Sequence, residues 1–466
     1  MRIFNRWLSA ALLAAASLTG QAATKAPKVG GRCVPKEVGK TVAGAGGARV
    51  TCVQEGANKR RWKVAAPTTT AAPVTTTAAG TPTVATTASG PNPAGTSKEP
   101  IKIGVALGQT GATTANLAQD QTIAAKLAEK YFNDKGGANG RPIKLVFQDT
   151  GPNPDGAINA FNTLIDSDKV VAIMGPTLSA QAFASDPIAD RAKVPVIAPS
   201  NTAAGIPQIG DYVARVSAGV AAYAGNTVKY AQTLTPMTKA AVFFAQDDAF
   251  SRSETTVFQA AVKSAGLELL PPQTFLVNDT DFTQQVQYVQ TNKPDLVAIS
   301  GLATSGNLVK QLRDTGFRGI IIGGNGLNVA QTFTVCKQQC DGLIVAQAYS
   351  PDIPAGGINA DFNKIFLAEQ KRDPGQIAAQ SFTGIQVLVE ALTELDKAGK
   401  LAGSLDSIRQ ALNTQILAGK YSTPLGEITF DKEGEINQKS FYVAQIRMIR
   451  GEVSDVFSGK FTYVKF

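Results

Sequence analysis

From residue 101 onward the chain alternates short, uninterrupted apolar runs with amphipathic stretches. The runs occupy 101–107, 143–149, 170–175, 194–200, 240–245, 295–300, 319–324 and 343–348. They are too short for buried helices and lack the polar alternation of a half-exposed strand. They therefore read as strands covered on both faces, as in a parallel sheet. Between them, apolar residues recur at spacings of three and four. Ile123, Leu127 and Tyr131 make one stripe, Ala124, Ala128 and Phe132 flank it, and Gly136-Gly137 ends the helix. Similar patterns cover 154–167, 180–192, 221–233, 252–265, 281–292, 303–315 and 377–398. Near the end, 426–431 and 441–450 alternate like antiparallel strands about a turn at Glu433-Gly434. The fold class is α/β, and a body of 99–466 exceeds one ordinary open sheet, so two similar βα lobes are expected.

Three segments precede this body. Arg2 and Arg6, an apolar stretch and small residues at Gly20 and Ala22 read as an export leader over 1–22, too short to span a membrane as an anchor. No Cys stands directly after the stretch, so no lipid anchor is expected. Residues 23–64 form a small basic module. Its ten Lys and Arg against Glu37 and Glu55 give +8, nearly the whole +9 of the chain. The high charge thus belongs to this module and not to the body, which excludes a protein-wide nucleic-acid surface. The module is expected either to hold an anionic surface such as a cell-wall polymer or to be a solvated basic tag. Residues 65–98 are Thr, Ala and Pro with almost no charge, an extended linker reaching on the order of 100 Å.

The chain has no histidine, which removes Ser-His and Cys-His nucleophilic pairs and His-ligated metals. Its four cysteines, in an exported chain, pair most simply within each segment, Cys33 with Cys52 and Cys336 with Cys340. No metal site is expected. Gly104, Gly108 and Gly111 lack the spacing of a dinucleotide loop, and no cofactor is inferred.

Ligands of open α/β sheets sit beyond the carboxyl ends of the strands. There the sequence gathers its polar residues. Gly175-Pro176-Thr177-Leu178-Ser179-Ala180 leaves one strand and opens a helix, with Ser179 placed as an N-cap beside free N–H groups that attract an anion. Pro199-Ser200-Asn201-Thr202 ends the next strand. Gln246-Asp247-Asp248-Ala249-Phe250-Ser251 offers an acid, Asp247 or Asp248, to a ligand cation, and Phe250 as a wall. Gly323-Gly324-Asn325-Gly326 is a tight exit that exposes Asn325.

These residues, with Ile101-Lys102-Ile103-Gly104-Val105, Asn133-Asp134-Lys135-Gly136-Gly137-Ala138-Asn139-Gly140-Arg141-Pro142-Ile143, Val194-Pro195-Val196-Ile197-Ala198-Pro199-Ser200 and Asp279-Thr280-Asp281-Phe282, occur in the order seen in one family. The body resembles the periplasmic branched-chain amino-acid-binding proteins, the solute receptors of ABC importers. The resemblance implies a type I fold: two doubly wound lobes joined by a three-segment hinge, with crossings near 219–221, 346–350 and 436–440. Lobe 1 would take about 99–219 and 350–437, and lobe 2 about 220–349 and 438–466. It also implies a small amino-acid-like ligand between closing lobes, a membrane permease as partner and no catalysis. By the family's motif Ser179 meets the ligand carboxylate, Ser200 and Thr202 add contacts, and Phe250 closes from the second lobe. Asn325 stands where the family has the acid that holds the ammonium. Either Asp247 or Asp248 compensates, or the ligand lacks an α-ammonium, as an amide, a small carboxylate or an aromatic acid does. A receptor feeding a signalling partner, and an exported enzyme on the same scaffold, are the other function classes.

Overall fold

The computed structural model describes residues 41–43, 49–56, 59–64, 99–111, 114–352, 357–450 and 457–465. The expected leader, the linker and Cys33 lie outside these residues. The chain divides into two units, 1–92 and 93–466. In the first, β1 (Thr41–Ala43), β2 (Arg49–Gly56) and β3 (Lys59–Val64) form an antiparallel sheet in that order, with Cys52 in β2.

In the second unit the chain begins β4 (Ile101–Leu107), α1 (Thr114–Asp134), β5 (Ile143–Asp149), α2 (Pro154–Asn162), β6 (Ile173–Met174), α3 (Ser179–Arg191), β7 (Val196–Ala198) and β8 (Val213–Arg215). These strands make a parallel five-stranded sheet in the order β5-β4-β6-β7-β8. Alternate residues of one strand serve opposite cores: Ile103, Val105 and Leu107 join the cluster under α1, while Ala106 joins Phe161, Leu164 and Ile173 on the other face. Both faces are covered, which is why the runs are apolar throughout. Helix α1 stops at Gly136-Gly137. Gly137 has φ +65°, and a Cβ there would stand 2.0 Å from the carbonyl oxygen of Arg141.

A second sheet follows. It contains β9 (Lys239–Ala245), β10 (Glu268–Leu269), β11 (Gln273–Phe275), β12 (Leu296–Ser300), β13 (Ile320–Gly323) and β14 (Ile344–Gln347). The intervening helices are α4 (Gly225–Leu234), α5 (Ala249–Ser264), α6 (Thr283–Asn292), α7 (Gly306–Asp314) and α8 (Ala330–Cys336). Here too the two faces split cleanly, with Phe243, Val297, Ile299 and Ile321 on one side and Val242, Leu296, Ala298 and Ile322 on the other.

The chain then returns to the first core through α9 (Ile358–Gln370), α10 (Gln376–Lys397), α11 (Leu405–Ala418) and the hairpins of β15 (Tyr421–Thr423), β16 (Gly426–Phe430) and β17 (Ile436–Gln438). It crosses back for β18 (Tyr442–Arg450) and β19 (Phe457–Lys465), which extend the second sheet antiparallel beyond β14. Three passages thus link two lobes, one after β8, one after β14 and one after β17.

The tail departs from expectation in one respect. The Glu433-Gly434 turn joins β16 to β17, not to the 441–450 segment, which instead pairs with β14 and β19. Alternation alone identifies a strand but not its partner.

Candidate functional site

In both lobes the first strand lies inside the sheet, with later strands on either side, β4 between β5 and β6 and β9 between β10 and β12. Such a reversal leaves a crevice where the helices on either side diverge. In lobe 1 the crevice is bridged by Thr177, whose hydroxyl accepts the N–H of Gly108 at 3.0 Å and donates to Gln121 Oε1 at 2.9 Å. Gln121 Nε2 in turn donates to Ser200 Oγ at 2.8 Å, and Ser200 donates to the Thr177 carbonyl at 2.7 Å. A closed ring of polar contacts therefore fixes the loops after β4, β6 and β7 against α1.

A cavity of about 30 Å³ lies between this ring and lobe 2. Its wall includes Leu117, Thr177, Leu178, Ser179, Ser200 and Ile377 of lobe 1 and Asp248, Phe250, Leu302, Asn325 and Gly326 of lobe 2. That volume holds about one or two waters and no larger molecule. Beside it Leu117, Leu178, Ala303, Val329 and Ile377 pack as one apolar cluster drawn from both lobes. Ala204 N–H donates to Ser253 Oγ at 2.9 Å, a further contact from lobe 1 to lobe 2.

Ser179 is buried and is the first residue of α3, not its cap. The cap position belongs to Leu178, whose N–H donates to Gln181 Oε1 at 3.2 Å. The Ser179 hydroxyl accepts the Ala203 N–H at 3.3 Å. The free N–H groups of the first turn of α3 stand at the same place, a local positive field for a carboxylate.

On the lobe 2 side, Asp248 caps α5: its Oδ2 accepts the Ser251 N–H at 2.8 Å and hydroxyl at 2.7 Å. Burial raises its carboxyl above the ordinary range, against the Ser251 bonds that lower it. Phe250, the second residue of α5, walls the cavity. Asn325 is buried; its N–H donates to Glu254 Oε1 at 2.8 Å and its Oδ1 accepts from Gln376 Nε2 at 2.6 Å. Glu254 lies so close behind this loop that a Cβ on Gly324 would stand 1.7 Å from Glu254 Oε2. Burial pushes the Glu254 carboxyl up to about 8.

Of the eight expected ligand contacts, Ser179, Ser200, Asp248, Phe250 and Asn325 line one cavity. Three are placed elsewhere. Thr202 borders a separate crevice of about 730 Å³ beside the first and third passages, with Arg215, Gly219, Glu435 and Phe441. Its hydroxyl is buried without a hydrogen-bond partner. Asn201 is fully buried and ties loops together, its Nδ2 donating to the carbonyls of Pro176 at 3.2 Å and Leu178 at 3.4 Å. Asp247 is exposed and accepts the Val277 N–H at 2.9 Å. The backbone turns between neighbouring residues, so adjacent side chains diverge. Thr177, Gln121, Glu254 and Gln376 were not singled out from sequence; buried polar residues on apolar helix faces are the only trace of the last three.

Cys336 and Cys340 form a disulfide at the end of α8, away from the cavity wall. Among the described residues no group of acids and cysteines is placed to hold a metal, and no helix is long and apolar enough to cross a membrane.

The family model described as periplasmic binding protein matches residues 100–452. The Leu/Ile/Val-binding protein BraC3 of Rhizobium johnstonii is 27% identical over 351 residues, covering 73% of this chain and 90% of that protein. An amino acid binding protein of Pseudomonas aeruginosa is 24% identical over 358 residues, covering 74% and 89%. A leucine-binding protein of Thermotoga maritima superposes with a TM-score of 0.69 at 23% identity, covering 78% of this chain and 98% of that one. A solute-binding protein of Rhodopseudomonas palustris in complex with 3,4-dihydroxybenzoic acid gives 0.67 at 24%, covering 79% and 97%. With a family model spanning most of the body and a two-lobed architecture that encloses its polar loops, the chain belongs to the periplasmic binding protein family.

Proposed function

We propose that this protein is an extracytoplasmic solute receptor of an ABC importer that binds a small carboxylate-bearing molecule between its lobes and releases it unchanged. The observation that carries the reading is the shared cavity: Ser179 and the start of α3 reach it from one lobe, and Asp248, Phe250 and Asn325 from the other. A ligand touching both walls stabilises the closed arrangement, because those contacts exist together only there. The relatives named for leucine, isoleucine and valine, and the neighbour solved with a dihydroxybenzoate, support an amino acid or small acid as ligand. Leu117, Phe250, Leu302 and Ile377 supply an apolar wall for its side chain.

The test is a thermal-shift screen with amino acids, amides and small aromatic acids, followed by calorimetry. A native-state ligand raises Tm. If no carboxylate shifts it, or if a bound compound returns chemically altered, the reading fails. The export leader over 1–22 and retention of the basic 23–64 module on anionic wall polymer belong to the same proposal. Binding of purified wall material by the full chain, lost on deleting 23–98, is the expected result for the module.

A further inference from the structure

An asparagine amide has a donor end and an acceptor end, and this protein fixes which one meets the cleft. The backbone N–H of Ala348, just past β14, donates to Gln376 Oε1. A backbone N–H has no other role, so that end of Gln376 is its carbonyl. Asn328 Nδ2 donates to the same oxygen at 3.2 Å, in the same sense. The opposite end of Gln376 is therefore Nε2, and the atom it meets at 2.6 Å is the Asn325 carbonyl, Oδ1. Glu254 holds the Asn325 backbone N–H from behind. With these two groups engaged, Asn325 is left with its Nδ2 hydrogens for the cavity it lines.

We propose that Asn325 meets the ligand as a hydrogen-bond donor, that Gln376 is the positioning residue that makes it so, and that the ligand is a 2-hydroxy carboxylate rather than an α-amino acid. This rests on the reading of the Ser179 side as the carboxylate seat. The substituent next to a carboxylate seated on Ser179 faces the opposite wall of the cavity, which Asn325 and Asp248 line. An ammonium there sets donor against donor at Asn325. A hydroxyl accepts from Asn325 Nδ2 and donates to the Asp248 carboxylate, satisfying both.

The experiment compares matched triplets on the full chain by calorimetry: 2-hydroxy-4-methylpentanoate, 4-methyl-2-oxopentanoate and leucine, and likewise phenyllactate, phenylpyruvate and phenylalanine, with benzoate as a plain carboxylate. In the native protein one hydroxy acid is expected to bind at least about ten-fold tighter than its matched amino acid. Gln376→Glu keeps the acceptor for Ala348 but removes the donor to Asn325, so the amide turns and the ratio moves toward the amino acid. Asn325→Asp moves it the same way without touching Gln376. A merely structural role for Gln376 lowers all three affinities together and leaves the ratio alone. Tightest binding of the amino acid by the native protein, or an unchanged ratio in both variants, overturns the donor assignment while the carboxylate seat stands. Binding of none of these acids, benzoate included, overturns both.

Discussion

Arg215, at the end of β8, and Glu435, in the turn before β17, form an ion pair in which Nε lies 2.9 and 3.0 Å from the two carboxylate oxygens. Nη2 also donates to Glu435, and the remaining guanidinium nitrogen, Nη1, donates to the carbonyls of Asn201 at 3.1 Å and Ala203 at 2.7 Å. Arg215 is almost wholly buried. It thereby anchors the loop that carries Ser200 toward the cavity between the lobes to the hairpin beside the third passage between lobes.

Removing the guanidinium leaves two carbonyls and a carboxylate without their donor. Arg215→Met is expected to cost about 3 kcal/mol in urea unfolding, and to weaken ligand binding through the loosened loop. Loss of stability under about 0.5 kcal/mol would show that the pair holds nothing in place.

The hydroxyls of Ser179 and Thr202 part company in the structure, and their variants should too. Ser179→Ala should weaken binding about ten-fold or more, since hydrogen bonds to a charged group contribute about 1.5–3 kcal/mol. Thr202→Val replaces a buried hydroxyl that has no partner, and should leave affinity unchanged and Tm equal or higher. Calorimetry on both decides. Equal losses would return Thr202 to the ligand site.

Glu254 gives the protein a pH dependence of known sign. Its carboxyl, ordinarily near 4.5, titrates near 8 when folded because burial disfavours the charge. Folded protein therefore holds a proton that the unfolded chain has released between about 4.5 and about 8. The stability is fully present below that window and is lost as pH rises through it, at up to about 1.4 kcal/mol per unit. Glu254→Gln keeps an acceptor for Asn325 and removes this slope. Asp186 and Asp248, also raised by burial, keep their contributions in both proteins. Parallel Tm-against-pH curves for the two proteins would contradict the assignment.

The Cys336–Cys340 disulfide closes a short loop at the end of α8. By loop entropy its loss costs about 2 kcal/mol. The double Ser variant should melt lower yet bind ligand as before, because neither cysteine reaches the cavity wall. A matched loss of affinity would tie this corner to the cleft.

Strand and helix positions were readable along the chain because each sheet is covered on both faces, and burial on both faces leaves an apolar run in the sequence. The runs at 101–107 and 143–149 coincide with β4 and β5. The pattern faded where elements are short or irregular. Residues 213–215 make a three-residue strand, and α9 and α11 were not singled out at all. The loops after strands were equally legible as places, since ligands gather at carboxyl ends. Which residue of a loop turns inward was not, as Asp247 and Asp248 show.

Local order along the chain thus settles the alternation of strand and helix, the two lobes and the loops that carry polar groups, because hydrophobic periodicity is written into neighbouring residues. The partners of those polar groups come from positions far apart in the chain. Glu254 lies behind Asn325 across 71 residues, and Gln376 reaches it across 51. No periodicity records such meetings; packing of α5 against the second sheet creates the first and packing of the lobes together creates the second, and with them the direction in which Asn325 points its amide.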